Sequence, residues 1–304
     1  MPEKACFISM HKPQEIDTLP WMLTGEWCWQ RAYKADVLNP RAVRRDWRVL
    51  DQYGLILVPG YVQTFRFMRE MMAVPPKGKV VSWIDYSAAL MSMLPAVQHD
   101  PTLPAAVGLA DVVIMPDPEH APYIGDTATI AQMVHPVDGE RLQKHLKPQP
   151  LEKRPTVGGK QVCVWVFHRW PPANWVTPAM MTERRPDLYH IAVGLSQEAV
   201  EWGLMHFDEA YQTISTKDLC TLISKSHVVV DMNPYRSMGR VVLEAASLGT
   251  PVYVNHFPTC TVPTSKWYNG IGCDAERAQE QADAVKQHWI EPSKKLLDSY
   301  IGQQ

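Results

Sequence analysis

The stretch that decides the fold is His227-Val-Val-Val-Asp231-Met-Asn-Pro-Tyr-Arg236-Ser-Met-Gly239-Arg240-Val-Val-Leu-Glu244-Ala-Ala-Ser-Leu-Gly249-Thr-Pro251-Val-Tyr-Val254. It opens with a short, wholly apolar run ending at Asp231, as expected of a strand buried on both faces. A turn-rich loop follows, marked by Asn233, Pro234, Ser237 and Gly239. One helix comes next, stopped by Gly249 and Pro251, and a second apolar run begins at once. Strand, helix and strand in this order form one parallel crossover unit.

Working outward, the same rhythm repeats along the chain. Expected strands are Ala5–Ser9, Gly54–Val58, Lys79–Trp83 and Asp111–Met115, then Gln161–Phe167, Tyr189–Val193, His227–Asp231 and Pro251–Val254. Strands alternating with helical segments predict an α/β, doubly wound architecture. The 304 residues suit two domains of about 150 each. From Pro136 to Lys160 the rhythm stops in a basic, Pro- and Gly-bearing stretch, read as a linker. The division is therefore 1–150, with the linker from about 136, and 151–304. A helical run from Ala275 to Trp289, Pro292 and a last helix (293–302) suggest a terminal segment crossing back to the first domain.

Composition excludes several classes. With 46% apolar and 20% charged residues and a net charge of −2, the chain is neither disordered nor strongly basic overall. Cys6, Cys28, Cys163, Cys220, Cys260 and Cys273 form no C-x-x-C pair, so neither a zinc site nor a disulfide framework is expected. No apolar run reaches the length of a membrane span, and Met1 to Lys12 does not resemble a signal peptide. A cytoplasmic protein without a metal or tightly bound cofactor is expected.

Two features of the deciding stretch carry chemistry. Ser237-Met238-Gly239 places a capping hydroxyl and a residue without a side chain at a helix start, where free N–H groups attract anions. Arg240 is a cation where the helix dipole disfavours one, which suits a phosphate bound between them. Glu244 lies in an apolar helix and needs hydrogen-bond donors, which a ribose diol supplies. A plain crossover with a salt-bridged glutamate stands open beside that reading.

The segment resembles the donor-binding region of GT-B-fold glycosyltransferases, above all the retaining group that pairs two glutamates across seven residues. Leu243-Glu244-Ala245, Gly249 and Pro251-Val252 match the second half of its motif. The resemblance implies two Rossmann-like domains facing across a cleft, with a nucleotide sugar, expected to be a UDP-sugar, as co-substrate. It assigns Glu244 to the donor ribose. Arg236 stands where the family has its first glutamate, with Tyr235 beside it. Leu109 to Pro116 is similar to the segment that ends the family's first domain, and Val137-Asp138-Gly139 to the lead into its linker. His168 and Arg169 follow an expected strand where the family contacts the pyrophosphate. Tyr211 to Thr216, with Ile214 inside it, occupies the family's nucleobase loop.

For the chemistry itself the candidates are Asp85, after the strand Lys79–Trp83, and His11, after the first strand. Asp85 capping the next helix is the alternative. An acceptor surface is suggested by Asn39-Pro40, a strong helix start, followed by Arg41, Arg44, Arg45 and Arg48 opposite an apolar face of Val43, Trp47 and Leu50. Between Arg31 and Lys79 ten basic residues face four acidic ones, with aromatics interleaved. Such a face suits a phosphate backbone with a base to stack, or it is simply solvated. The function expected is a hexosyl- or pentosyltransferase, the leading acceptor a modified (hydroxymethyl) base in DNA, as in phage enzymes. Alternatives are transfer to a glycan, lipid or small molecule, and a non-catalytic nucleotide-sugar-binding scaffold.

Overall fold

The computed structural model describes residues 4–9, 26–60, 62–84, 98–100, 102, 104–116, 121–122, 128–167, 182–183, 185–232, 239–254, 262–266 and 271–302. Its contacts divide the chain into two units, Met1–Val137 with His288–Gln304, and Asp138–Gln287.

In the first unit, strands β1 (Ala5–Ile8), β2 (Asp36–Leu38), β3 (Leu55–Val58), β4 (Lys79–Trp83), β5 (Val112–Met115) and β6 (Thr129–Gln132) form a parallel sheet in the order β2-β1-β3-β4-β5-β6. The register aligns Cys6 with Ile56, Leu57 with Val81 and Ser82 with Val113. β1, β3 and β5 are buried at every position, because helices on both faces leave no wet side. Helix α1 (Trp27–Ala32), the single turn α2 (Pro40–Val43) and α3 (Val62–Ala73) belong to this unit.

The C-terminal helix, Ile290–Ile301, packs on α1 and β6 of the same unit. Tyr33, the C-cap of α1, donates its hydroxyl to Asp298 at 2.8 Å, and Lys294 lies over the Tyr33 ring. Burial, with the Asp298 bond behind it, holds the Tyr33 phenol far above its usual range. The helix starts before Pro292, not after it. A proline in the first turn has no helical N–H partner to lose, so Pro292 fits where it stands.

The second unit holds β7 (Gln161–Val166), β8 (Leu188–Val193), β9 (Glu209–Tyr211), β10 (Val228–Asp231), β11 (Val252–Val254) and β12 (Ser265–Lys266), all parallel, in the order β12-β11-β10-β7-β8-β9. Its helices are α4 (Gly139–Leu146), α5 (Gln197–His206), α6 (Thr216–Lys225), α7 (Arg240–Ser247) and α8 (Ala275–Ala284). The stretch read as a linker holds α4. Asp138 caps it, accepting from the Arg141 amide, and it packs on α6 and α7. The aromatic core of this unit joins Trp165, Phe167 and Phe207 edge to face. Among the described residues no helix is long and apolar enough to cross a membrane.

Gly60, just past β3, has no room for a side chain. A Cβ there would sit 1.6 Å from the Trp83 carbonyl oxygen, an immovable backbone atom. Gly60→Ala is expected to lower unfolding stability by about 2 kcal/mol, the range for forced overpacking. Urea melts of the two proteins check this, and an unchanged midpoint would refute the close approach.

Candidate functional site

Counted along the chain, the second sheet runs sixth, fifth, fourth, first, second, third strand. The direction of winding therefore reverses between β7 and β10. Open α/β sheets bind ligands outside the carboxyl ends of the strands at such a reversal. The two strand ends lie together, with the Met232 amide donating to the Val166 carbonyl at 2.8 Å. β7 ends at Val166 and β10 at Asp231, both at the reversal point.

The helix that follows β10 is α7. Gly239 is its N-cap, with φ 66° and ψ 33°, a left-handed conformation that side chains disfavour. Gly239 is buried, and its carbonyl accepts the first helical bond, from the Leu243 amide at 2.9 Å. The expected capping hydroxyl is not at this position. The N-cap has no side-chain bond, and no acidic residue occupies the first turn.

Arg240 is the first helical residue, and its partners lie within the protein. Its Nε donates to Glu244 Oε1 at 2.8 Å, and its Nη2 to Thr216 Oγ1 at 3.0 Å. Glu244 is fully buried while the Arg240 side chain is 48% exposed, so the arginine lies over the carboxylate at the surface. An Arg-to-Glu pair running in this direction along a helix opposes the dipole, the weaker of the two orders. The salt-bridged glutamate of the plain reading is thus present. It places Arg240 without requiring a bound anion. A ligand that engages Glu244 has to share it with Arg240 or displace it.

Thr216 opens α6, whose N-cap is Ser215, accepting from the Asp218 amide at 3.0 Å. Half-buried Ile214 precedes it in the loop after β9. The Thr216 bond ties the start of α6 to the start of α7, where Arg240 and Glu244 pair. Cys220, on the next turn of α6, lies beside Glu244. Burial, then the Glu244 charge, pushes its thiol well above the ordinary range. The contacts of Thr216 and Cys220 link residues more than twenty positions apart and carry no local signal.

Of the other expected residues, His11, Asp85, His168, Arg169, Tyr235, Arg236, Ser237 and Met238 lie outside the described residues. β4, which leads to Asp85, ends at Trp83.

The arginine face departs from expectation in its secondary structure. Asn39 does cap α2, accepting from the Arg41 amide at 2.9 Å, but the helix ends at Val43. A separate 3-10 turn, Trp47–Gln52, begins where Asp46 accepts from the Arg48 amide. A second cap inside the expected helix restarts the chain instead of continuing it. Arg41, Arg44, Arg45 and Arg48 are all exposed, and Arg44 pairs with Glu70 at 2.5 Å while lying over the Phe67 ring. Arg69–Asp100, Lys77–Asp51 and Lys79–Asp111 neutralise more of the local surplus.

A cavity of about 290 Å³ in the second unit, lined by Lys160, Leu188, His190, Phe207 and Asp208 among others, opens near the amino ends of β7 and β8. That is the opposite end of the sheet from Gly239 and from the winding reversal.

No protein-family model matches the chain, and no curated protein matches it by sequence. Solved structures do. An alpha-glucosyltransferase (AGT) in complex with UDP superposes with a TM-score of 0.64 at 10% identity, covering 98% of this chain and 99% of that one. Sucrose-phosphate synthase from Thermosynechococcus elongatus gives 0.62 at 13% identity, with 99% and 98% covered. Anabaena HepE in complex with UDP and glucose gives 0.59 at 14%, with 99% and 100% covered. The chain has the GT-B fold that these structures share.

Proposed function

We propose that this chain is a glycosyltransferase using a nucleotide sugar, with the donor diphosphate at the start of α7 and its ribose on Glu244. The observation that carries this is the position of Gly239, Arg240 and Glu244 beside the winding reversal of the second sheet. UDP is the first nucleotide to test, since two of the similar structures hold it.

In this reading the amides at the α7 tip and a redirected Arg240 neutralise the leaving diphosphate. The ribose hydroxyls take over Glu244 Oε1 as Arg240 leaves it. Ile214 lies beside the base. Tyr235, Arg236, Ser237 and Met238 complete the phosphate loop, and His168 and Arg169 reach the pyrophosphate from the end of β7. Asp85 and His11 act from the first domain, residues 1–150, as base or sugar-positioning groups, while residues 151–304 carry the donor. The enzyme works in the cytoplasm on a hexose or pentose donor.

The acceptor we propose is a modified base in DNA, its backbone contacted by Arg41, Arg45 and Arg48, with Arg44 released from Glu70. Binding of DNA carrying hydroxymethylated bases is expected to weaken as salt rises, with a logarithmic slope of about −0.9 per phosphate contacted. Arg45→Glu/Arg48→Glu should flatten that slope. Unaltered binding and turnover in that double variant would remove DNA from this surface and favour a small-molecule, glycan or lipid acceptor.

The donor itself is tested by mass spectrometry of a nucleotide-sugar panel, with and without acceptor. Release of a nucleoside diphosphate from one donor is expected. Binding without release from any donor would favour the non-catalytic scaffold, a reading that Arg236 and the internal Arg240–Glu244 pair also suit.

A further inference from the structure

Arg154 lies in the Pro-rich stretch before β7, and it is only 5% exposed. Its guanidinium spends its donors on neutral oxygens alone. Nε donates to the Gln149 carbonyl at 2.9 Å. Nη1 donates to the Ser226 carbonyl and, at 2.6 Å, to Thr250 Oγ1. Nη2 donates to the carbonyls of Leu248 at 2.8 Å and Gly249 at 3.1 Å. None of these partners is a carboxylate. A buried cation normally requires a counter-charge. Here the negative end of α7 lies beside it, for the Leu248 carbonyl belongs to the C-cap of that helix and the Gly249 carbonyl to the residue after it.

The places it ties together are specific. Ser226 precedes β10, and Leu248 to Thr250 join α7 to β11. Thr250 Oγ1 in turn donates to the Ile223 carbonyl at 2.9 Å, at the end of α6. One planar fork thus pins the start of β10, the end of α6 and the end of α7. These are the ends remote from Gly239, on the two helices that hold Thr216 and Arg240 at their other ends, with Glu244 one turn along α7 from Arg240. A helix fixed this way cannot slide along its axis against the neighbouring strand, and a slide of one residue would carry Glu244 about 1.5 Å out of place.

We propose that Arg154 is a positioning residue for the donor site, setting the axial register of α7 from behind so that Gly239, Arg240 and Glu244 meet the nucleotide. This rests on the donor reading above. The same burial pushes the Arg154 pKa down to about 10, against a smaller opposing effect of Cys273.

The test is UDP titration by calorimetry, at a temperature where circular dichroism shows each protein folded. Arg154→Met is expected to weaken UDP by about ten-fold, the scale of coupling from residues that touch no ligand. Arg154→Lys keeps the charge without the fork and should fall between the two. Glu244→Gln made on top of Arg154→Met should cost less than it does alone, since both act through the placement of α7. A lowered melting temperature with unchanged UDP affinity in the folded Arg154→Met protein would reduce Arg154 to a structural residue and overturn the proposal. If that variant does not fold, Thr250→Val removes one of the five acceptors. About three-fold weaker UDP is then expected, and no change overturns the proposal. Wild-type protein that fails to bind UDP refutes the donor reading instead, a result separable from an insensitive variant.

Discussion

Glu244→Gln is expected to lower affinity for the donor nucleotide by about 10- to 100-fold, or 1.5–3 kcal/mol, the value of hydrogen bonds to a charged group. The substitution keeps the shape of a side chain that is fully buried and removes only its charge. It weakens the grip on two ribose hydroxyls, and it loosens Arg240 as well. Arg240→Ala acts in two opposing ways. It removes the proposed phosphate contact but uncovers Glu244 for the ribose. The two residues touch, so their effects should not add, with a coupling of about 0.5–3 kcal/mol. Calorimetric titration of wild type, both single variants and the double variant closes the cycle. Additive losses would mean that Arg240 does not exchange Glu244 for a ligand.

Acid should destabilise this protein before its carboxylates titrate. Three imidazoles drive the effect, His190 and His227 buried and His288 half-buried. Burial lowers the His288 pKa to about 4. It also lowers those of His190, which takes the Trp165 indole bond on Nδ1, and His227, which takes the Val162 amide. For His227 the Arg154 charge adds to the same direction. In the unfolded chain each returns to about 6.5, so between the two values the unfolded state binds more protons. The stability from neutral histidine is therefore complete above about pH 6.5 and drains away as pH falls towards the folded values. From His288 alone the loss approaches about 3 kcal/mol at the acid end, at 1.36 kcal/mol per unit. Asp187, held low by its bond to Arg185, loses its contribution only below the carboxylate range. Urea melts from pH 7.5 to 4.5 should show the decline, and His288→Gln should flatten it. An equal slope in both proteins would exclude His288 as a source.

Most of the sheet architecture was legible in the sequence. Each of the eight expected strands is present, with ends within one residue, because doubly covered parallel strands appear as unbroken apolar runs. The strands that escaped notice are β2, β6, β9 and β12. They are short, all four close a sheet at its edge, and Asp36-Val-Leu or Glu209-Ala-Tyr carries no such run. The bounds of α7 were announced by Gly239, Gly249 and Pro251. What surrounds it was not. Arg240 and Glu244 stand four apart, a visible spacing, but the choice between an internal partner and a bound phosphate depends on where Thr216 lies. Arg154 looked like one basic residue among many in a Pro-rich stretch. Only tertiary structure shows that its five donors meet the remote end of the site. At Arg44, too, Asp46 stopped a helix that apolar spacing alone would have continued.

The most direct test of the donor site is a crystal structure of this protein with bound UDP. It should place the diphosphate against the α7 amides beside Gly239 and the ribose hydroxyls on Glu244, with Arg240 turned from Oε1 to the phosphates. UDP bound elsewhere, with the Arg240–Glu244 pair intact and the space beside Gly239 filled by protein side chains, would contradict it.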